Sequence, residues 1–350
     1  MTTLADRHAD TTTRPGTRPG AIALWLLFTA FMVFAMTVIG AITRLTESGL
    51  SMVEWRPLIG ALPPLSEAEW HRVFDLYRET PEYRAIHSGM SLAEFQQIFF
   101  WEWLHRLWGR LIGVVYALPL LVFWLRGAIP QGYHRRLLVL LGLGALQGLL
   151  GWFMVQSGLV DRPSVSHYRL AAHLAVALGI YVLLVWTAFD LRDAAAGRSR
   201  GEHTRPGLRR HVWATLGLLA VTIVWGAFTA GLDAGMVYNT WPLMNGAVVP
   251  PEAFALDPAI LNAVETRGLV QFIHRWLGFL TMLGALAACL RCLADPRTGG
   301  AALAVGAAAI VQVCLGIFTL LEVVPVALAA AHQAGAVILL TALLVLVRRV

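Results

Sequence analysis

The stretch FFWEWLHRLWGR, residues 99–110, sets a glutamate, a histidine and two arginines among leucines and aromatic rings. Its neighbours place it at the edge of a bilayer, where an ionisable side chain at a helix centre costs about 2.5–3.5 kcal/mol. Charges kept at that cost point to a function. The surrounding composition agrees: of 350 residues, 57% are hydrophobic and only 14% charged, which lies outside the soluble globular class. The net charge of +6 comes entirely from arginine, with no lysine in the chain. Arginines clustered at the ends of apolar runs set topology rather than bind nucleic acid, so no nucleic-acid partner is expected.

Apolar stretches long enough to cross a bilayer, about 20 residues each, lie near 22–42, 99–125, 136–157, 168–189, 212–230, 270–291, 301–321 and 328–347. The expected fold is an all-α integral membrane protein with eight transmembrane helices. Arg7, Arg14 and Arg18 precede the first span, Arg126, Arg135 and Arg136 join the second to the third, and Arg348 and Arg349 end the chain. By the positive-inside rule both termini are cytoplasmic, and the connections 43–98 and 231–269 lie on the opposite side. Within the first of these, SEAE (66–69) and SLAE (91–94) are capping-box patterns. The second box predicts that the next helix starts outside the membrane and runs straight in. The amphipathic stretch EAEWHRVFDLYR (67–78) either caps a site or rests on the membrane surface.

The chain repeats itself. GAITRLTESGLSMVEWRPLIGALPP (40–64) aligns with GAFTAGLDAGMVYNTWPLMNGAVVPP (226–251), matching Gly40 with Gly226, Glu47 with Asp233, Trp55 with Trp241 and Gly60 with Gly246. WLHRLWG (103–109) aligns with FIHRWLG (272–278), QGLLG (147–151) with QVCLG (312–316), and LAAH ending at His173 with AAAH ending at His332. These matches predict two repeated four-helix bundles. An even number of spans per copy relates them by a pseudo-two-fold axis along the membrane normal. The expected division is a disordered cytoplasmic tail at 1–20, a first half at 21–190, a cytoplasmic linker at 191–210 and a second half at 211–350.

Of eleven histidines, His8, His71, His87, His134, His203 and His211 fall in or beside predicted loops, where solvation is the default. His105, His173, His274 and His332 recur by repeat, each in the first turns of an even-numbered span. Alone, such a histidine reads as a hydrogen-bonded core residue. Two per half, twice, fit two imidazoles holding a haem iron from both sides inside a four-helix bundle. Zinc fits less well, because repeated cysteine or acidic partners are missing. His167, beside Tyr168 and Arg169, is a rim residue or propionate partner. Arg106 and Arg275 follow two of the ligand candidates and either pair with haem propionates or snorkel to the interface. Cys289 and Cys292 form a C-x-x-C pair, but in an apolar run and without a following histidine they read as packing residues before a redox pair.

The halves differ at one informative place. EWLHR (102–106) stands where the second half has QFIHR (271–275), so Glu102 is answered by the near-isosteric Gln271. Glu102 lies three residues before His105 on the same helix face, where a desolvated carboxylate can exchange protons. The alternative is an ion pair with Arg106 at i, i+4.

In the duplicated eight-span layout, the E-x-x-H of Glu102 and His105, the histidines His173, His274 and His332 and the repeated loops, the chain resembles the heme A synthase family. That resemblance implies oxidation of the C8 methyl of heme O to a formyl group by two hydroxylations and loss of water, giving heme A for cytochrome oxidase. It implies a substrate haem between His105 and His173 with Glu102 as an essential acid, and a resident heme b between His274 and His332. It further implies heme O as substrate, a heme O-producing farnesyltransferase and an electron-transfer protein as partners, and a possible homo-oligomer. One branch of the family carries a cysteine pair in the first outer loop; residues 43–98 have none, as in mitochondrial and alphaproteobacterial members. Without a clear transit peptide, the bacterial inner membrane is the expected location. The competing reading is a diheme b-type electron-transfer membrane protein that alters no haem. A midplane transporter fits less well, because the paired polar residues sit near helix ends.

Overall fold

The computed structural model describes residues 16–54, 62–160, 164–198 and 205–350. The tail through residue 15, Trp55 and Gly60 of the repeated loop, and Arg200 and His203 of the linker lie outside the described residues. The structure is all-helical, with no strand among the described residues. Among the described residues, eight helices are long and apolar enough to cross a bilayer, where only structures that satisfy their own backbone hydrogen bonds are tolerated. They are α1 (Pro19–Leu45), α4 (Leu92–Leu125), α5 (His134–Val160), α6 (His167–Ala195), α7 (Pro206–Gly231), α9 (Arg267–Cys292), α10 (Gly299–Leu321) and α11 (Val326–Arg349). Proline opens α1 and α7 at the position where a missing backbone N–H is not felt.

Helix α4 is the longest, with 34 residues, about 51 Å at 1.5 Å per residue against a hydrocarbon core of about 30 Å. Its capping box is formed: Ser91 accepts from the Glu94 N–H while Glu94 accepts from the Ser91 N–H. The helix therefore begins before the apolar run, as the second capping box predicted, and His105 lies in its fourth turn. Two short helices rest on the extramembrane turns, α2 (Glu67–Arg78) and α3 (Pro81–Ala85). Ser66 caps α2 by accepting from the Glu69 N–H at 3.2 Å. The apolar face of α2 carries Phe74 and Tyr77 onto Phe95, Ile98 and Phe99 of α4. The amphipathic segment thus packs on the protein.

Helices α1, α4, α5 and α6 form one ring, and α7, α9, α10 and α11 a second. The rings meet through α1 against α11 and α6 against α7. One apolar core, from Ile22 and Leu26 through Leu184 to Leu343 and Leu344, runs through both. Polar ties reinforce the seam: Gln333 donates to Thr37 O (3.1 Å), Tyr181 meets Thr341 (2.7 Å), and Arg44 bonds Asp233 (2.7 Å) and Ala230 O (3.0 Å). At the arginine-rich end, Arg348 and Arg136 both bind Asp190 at 2.7 Å.

The rings are not equally closed. In the second, α9 packs along α10; in the first, α4 and α5 barely touch. Helix α2 sits on α4 and α3 on α5, so the two short helices roof that gap. Cys289 and Cys292 are buried and unpaired, and a methyl on Gly306 would stand 2.9 Å from the Cys289 sulfur. That close packing supports their reading as packing residues.

Candidate functional site

Each of the four recurring histidines packs against a glycine of another helix in its own ring. A methyl group built on Gly40 of α1 would stand 3.2 Å from Cε1 of His105, and one on Gly151 of α5 would stand 3.2 Å from Cε1 of His173. In the second ring, Gly226 of α7 faces His274 at 2.9 Å and Gly316 of α10 faces His332 at 2.8 Å. A side chain at Gly226 or Gly316 would displace the imidazole, and one at Gly40 or Gly151 would press on it, so each ring lies where a Cβ is missing. These glycines were visible as repeated letters, Gly40 with Gly226 and Gly151 with Gly316. Their role was not, because a helical glycine carries no sign of what approaches it.

The imidazoles of His274 and His332 have centroids 6.3 Å apart and planes at 89°. A metal–imidazole bond is about 2.0 Å and the ring nitrogen lies about 1.1 Å from its centroid, so two opposed ligands of one metal ion need about 6.2 Å. The observed centroid separation matches that span. Nδ1 of His274 lies 3.1 Å from Thr222 O, the outer hydrogen bond that fixes the tautomer of a metal-binding histidine and frees Nε2. Gln312 donates to His332 O at 2.9 Å, and its counterpart Gln147 donates to His173 O at 3.0 Å. His105 and His173 lie within electrostatic reach of each other. Nδ1 of His173 is buried with no hydrogen-bond partner among the described residues, as suits a donor set built for a further group. Among the described residues no group of three or more His, Cys, Asp or Glu is placed to hold a metal ion.

Glu102 is 3% exposed. Its Oε2 accepts from the Ser51 hydroxyl at 2.7 Å and from the Met52 N–H at 2.6 Å, and its Oε1 accepts from Arg106. Arg106 also donates to Met52 O at 3.0 Å. In the second ring Gln271 is equally buried but oppositely bonded: its amide donates to Ala234 O (2.7 Å) and Val237 O (2.5 Å) and accepts from Arg275 (2.8 Å). Arg275 in turn donates to Tyr238 O and Thr240 O. The repeated loop presents donors in one half and acceptors in the other, which explains why one half has the acid and the other the amide. Both arginines, considered above as propionate partners, clamp these loops.

His167 is 7% exposed, packed against Phe228 and over Gly231 of α7, with Nε2 3.8 Å from Glu265. Tyr168 donates to Glu265 at 2.5 Å, and Glu265 lies on α8 (Asn262–Glu265), so this corner ties the two rings together. Arg169 donates to Phe153 O at 2.6 Å and lies 3.7 Å above the Phe153 ring, at the rim of the first ring. His87, read from sequence as solvated, has a side chain only 15% exposed and is bonded to Tyr77. Burial beneath α2 and α3 was not legible in a segment rich in polar residues.

Comparison with known proteins agrees with this arrangement. The family model COX15-CtaA, described as cytochrome oxidase assembly protein, matches residues 23–344. The chain is 53% identical over 354 residues to a heme A synthase of Rhodospirillum centenum, covering 99% of this chain and 92% of that protein. It is 47% identical to a heme A synthase of Parvibaculum lavamentivorans (91% of each chain) and 46% identical to one of Nitrosospira multiformis (92% and 91%).

Proposed function

The chain belongs to the COX15-CtaA family of cytochrome oxidase assembly proteins, and from that premise we propose that it converts heme O to heme A as a multi-pass membrane enzyme. In this reading the first ring takes the substrate between His105 and His173. The second holds a resident heme b between His274 and His332, related to the first by a pseudo-two-fold along the membrane normal. Residues 21–190 and 211–350 are then the two functional halves. The observation that carries the assignment is the difference between the rings: the one with the buried acid is also the one left open between α4 and α5. A substrate that arrives and leaves needs an opening, and a permanent cofactor does not. Both sites lie toward the end that bears the long loops, which the arginine distribution assigns to the outside of the inner membrane, with both termini cytoplasmic.

The haem of the second half, when bound, supplies one-electron redox chemistry. The protein's own part is positional. Gly40 and Gly151 set the planes of the substrate-side imidazoles, Gln147 holds the backbone beside His173, and Glu102 with Arg106 pins loop residues Ser51 and Met52 over the site. The test is chromatographic and mass-spectrometric identification of haems extracted from the purified protein. Heme b together with heme O, a hydroxylated intermediate or heme A is expected. Heme b alone would favour the diheme electron carrier.

The glycine contacts give a graded expectation. Gly316→Ala and Gly226→Ala, with contacts under 3.0 Å, must displace a ligand ring. They should lower haem b affinity about tenfold, the scale of a lost outer partner of a metal ligand. Gly151→Ala, at 3.2 Å, should leave haem b unchanged and act only on heme A yield. Titration of haem into the apoprotein and a pyridine haemochrome assay read the two effects separately.

A further inference from the structure

The roof over the gap between α4 and α5 contains a buried polar chain that the site described above does not use. Glu82 of α3 is 4% exposed and Tyr77 of α2 is fully buried. The Tyr77 hydroxyl lies 2.9 Å from Glu82 Oε2 and 2.6 Å from Nδ1 of His87, whose Nε2 lies 3.8 Å from Glu47 Oε2. Glu47 is 38% exposed, so the chain starts under the roof and ends in solvent. Phe74, Tyr83 and Phe95 wall it with aromatic rings.

One hydroxyl between a carboxyl group and an imidazole can point either way. With Glu82 protonated, its O–H donates to the tyrosine oxygen and the tyrosine O–H donates to His87 Nδ1. With Glu82 ionised, the tyrosine O–H donates to the carboxylate and the Nδ1–H of His87 donates to the tyrosine. Passing between these states breaks the Glu82 O–H and Tyr77 O–H bonds and forms a new Tyr77 O–H and the His87 Nδ1–H. The imidazolium then loses its Nε2 proton to Glu47 or water, and net one proton moves from Glu82 to the exterior with no electron transferred.

We propose that Glu82, Tyr77, His87 and Glu47 form a proton relay connecting the roof of the first-half site with solvent at the loop-bearing end. The proposal rests on the reading of that half as the place where heme O is oxidised, because taking a methyl to a formyl group with water as the oxygen source releases four protons and four electrons, the electrons passing to an external one-electron acceptor and the protons needing an exit near this roof. The groups facing Glu82 favour the resting polarity. Burial pushes its carboxyl up to about 8, helped by the charges of Glu102 and Glu47 against Arg44 and the Tyr77 hydrogen bond. Burial also raises the Tyr77 phenol and, against the pull of Glu47, lowers the His87 imidazole. The second half has a Tyr238–Glu252 pair in the corresponding loop, but no histidine completes it there. The relay thus belongs to the half with the acid and the opening.

The test uses infrared difference spectroscopy of the purified full-length protein across pH 5–9, beside the pH profile of heme A formation. Wild type should show a protonated buried carboxylic acid that ionises near pH 8 and is lost in Glu82→Gln. Tyr77→Phe and His87→Gln should shift its band and its titration and lower heme A formation about tenfold, less than the hundredfold or more expected for a group exchanging protons with substrate. Glu79→Gln, an exposed acid on the same roof, should change neither. Because a raised carboxyl favours the folded state only while protonated, thermal stability should fall as pH rises from about 4.5 to 8, and Glu82→Gln should flatten that slope. An unaltered carboxylic band in both Tyr77→Phe and His87→Gln overturns the relay, as does wild-type heme A formation in both. Absence of heme A from wild type itself would instead remove the functional reading and leave the infrared result to judge the network.

Discussion

His274→Ala and His332→Ala are each expected to abolish stable haem b binding and, with it, heme A formation. His105→Ala and His173→Ala should keep haem b and lose heme A alone. The two rings of the second half are already 6.3 Å apart in the folded chain, and each has a glycine against it and a hydrogen-bond partner at Nδ1, Thr222 O for His274 and the Gln312 amide for His332. Removing one imidazole therefore leaves an iron with a single protein ligand and a void where the other stood. The affinity loss should exceed the roughly 100-fold that an outer partner of a ligand can be worth. Visible spectra of the purified variants, with haemochrome quantification, separate the two halves. In the first half, the expected signature is an unchanged haem b spectrum with heme O accumulating in cells that lack another source of heme A. Heme A produced at wild-type levels by His105→Ala would sink the assignment of the substrate site.

The parts of this protein that the bilayer dictates were legible in its sequence. Hydrocarbon requires long unbroken apolar helices, so all eight spans are visible as runs, their ends displaced by a few residues where polar turns such as Leu92–Ile98 continue a helix into water. Ligand candidates were legible because imidazoles in such runs are few and recur by repeat. What stayed hidden depends on contacts between segments with no common pattern. Gly151 gives no hint that His173 lies against it, and His87 reads as a solvated loop residue until α2 and α3 fold over it. The same holds for the open face of the first ring. Helices α4 and α5 are as apolar as α9 and α10, and hydropathy does not distinguish a surface that faces lipid from one that faces a neighbouring helix. The polarity of the repeated loop was likewise silent, since backbone N–H and C=O groups are present at every position and only the fold decides which one points at residue 102 or 271.

That polarity governs the second large expected effect. Glu102→Gln makes the first half carry the second half's side chain, yet it should abolish heme A formation, because the surroundings are not copied. The carboxylate accepts from Ser51, Met52 and Arg106, and a glutamine must turn its NH2 toward one of these donors. Arg106, 12% exposed, then keeps its bond to Met52 O but loses the carboxylate that balances its charge. Breaking a buried ion pair by removing one member costs about 3–5 kcal/mol, and with side chains this little exposed, solvent recovers a small part of it. Gln271→Glu should fail in the opposite sense, setting a carboxylate against the carbonyl oxygens of Ala234 and Val237. Ser51→Ala separates clamp from acid: it removes one donor while keeping the charge and Arg106, at about 1.5–3 kcal/mol for a hydrogen bond to a charged group. If Glu102 acts only by holding the loop, heme A yield should track thermal stability across Ser51→Ala and Glu102→Gln. If it exchanges protons during the reaction, Glu102→Gln should be inactive even where its stability matches that of Ser51→Ala, with haem b bound in both. Wild-type heme A yield from Glu102→Gln would show that the acid does neither.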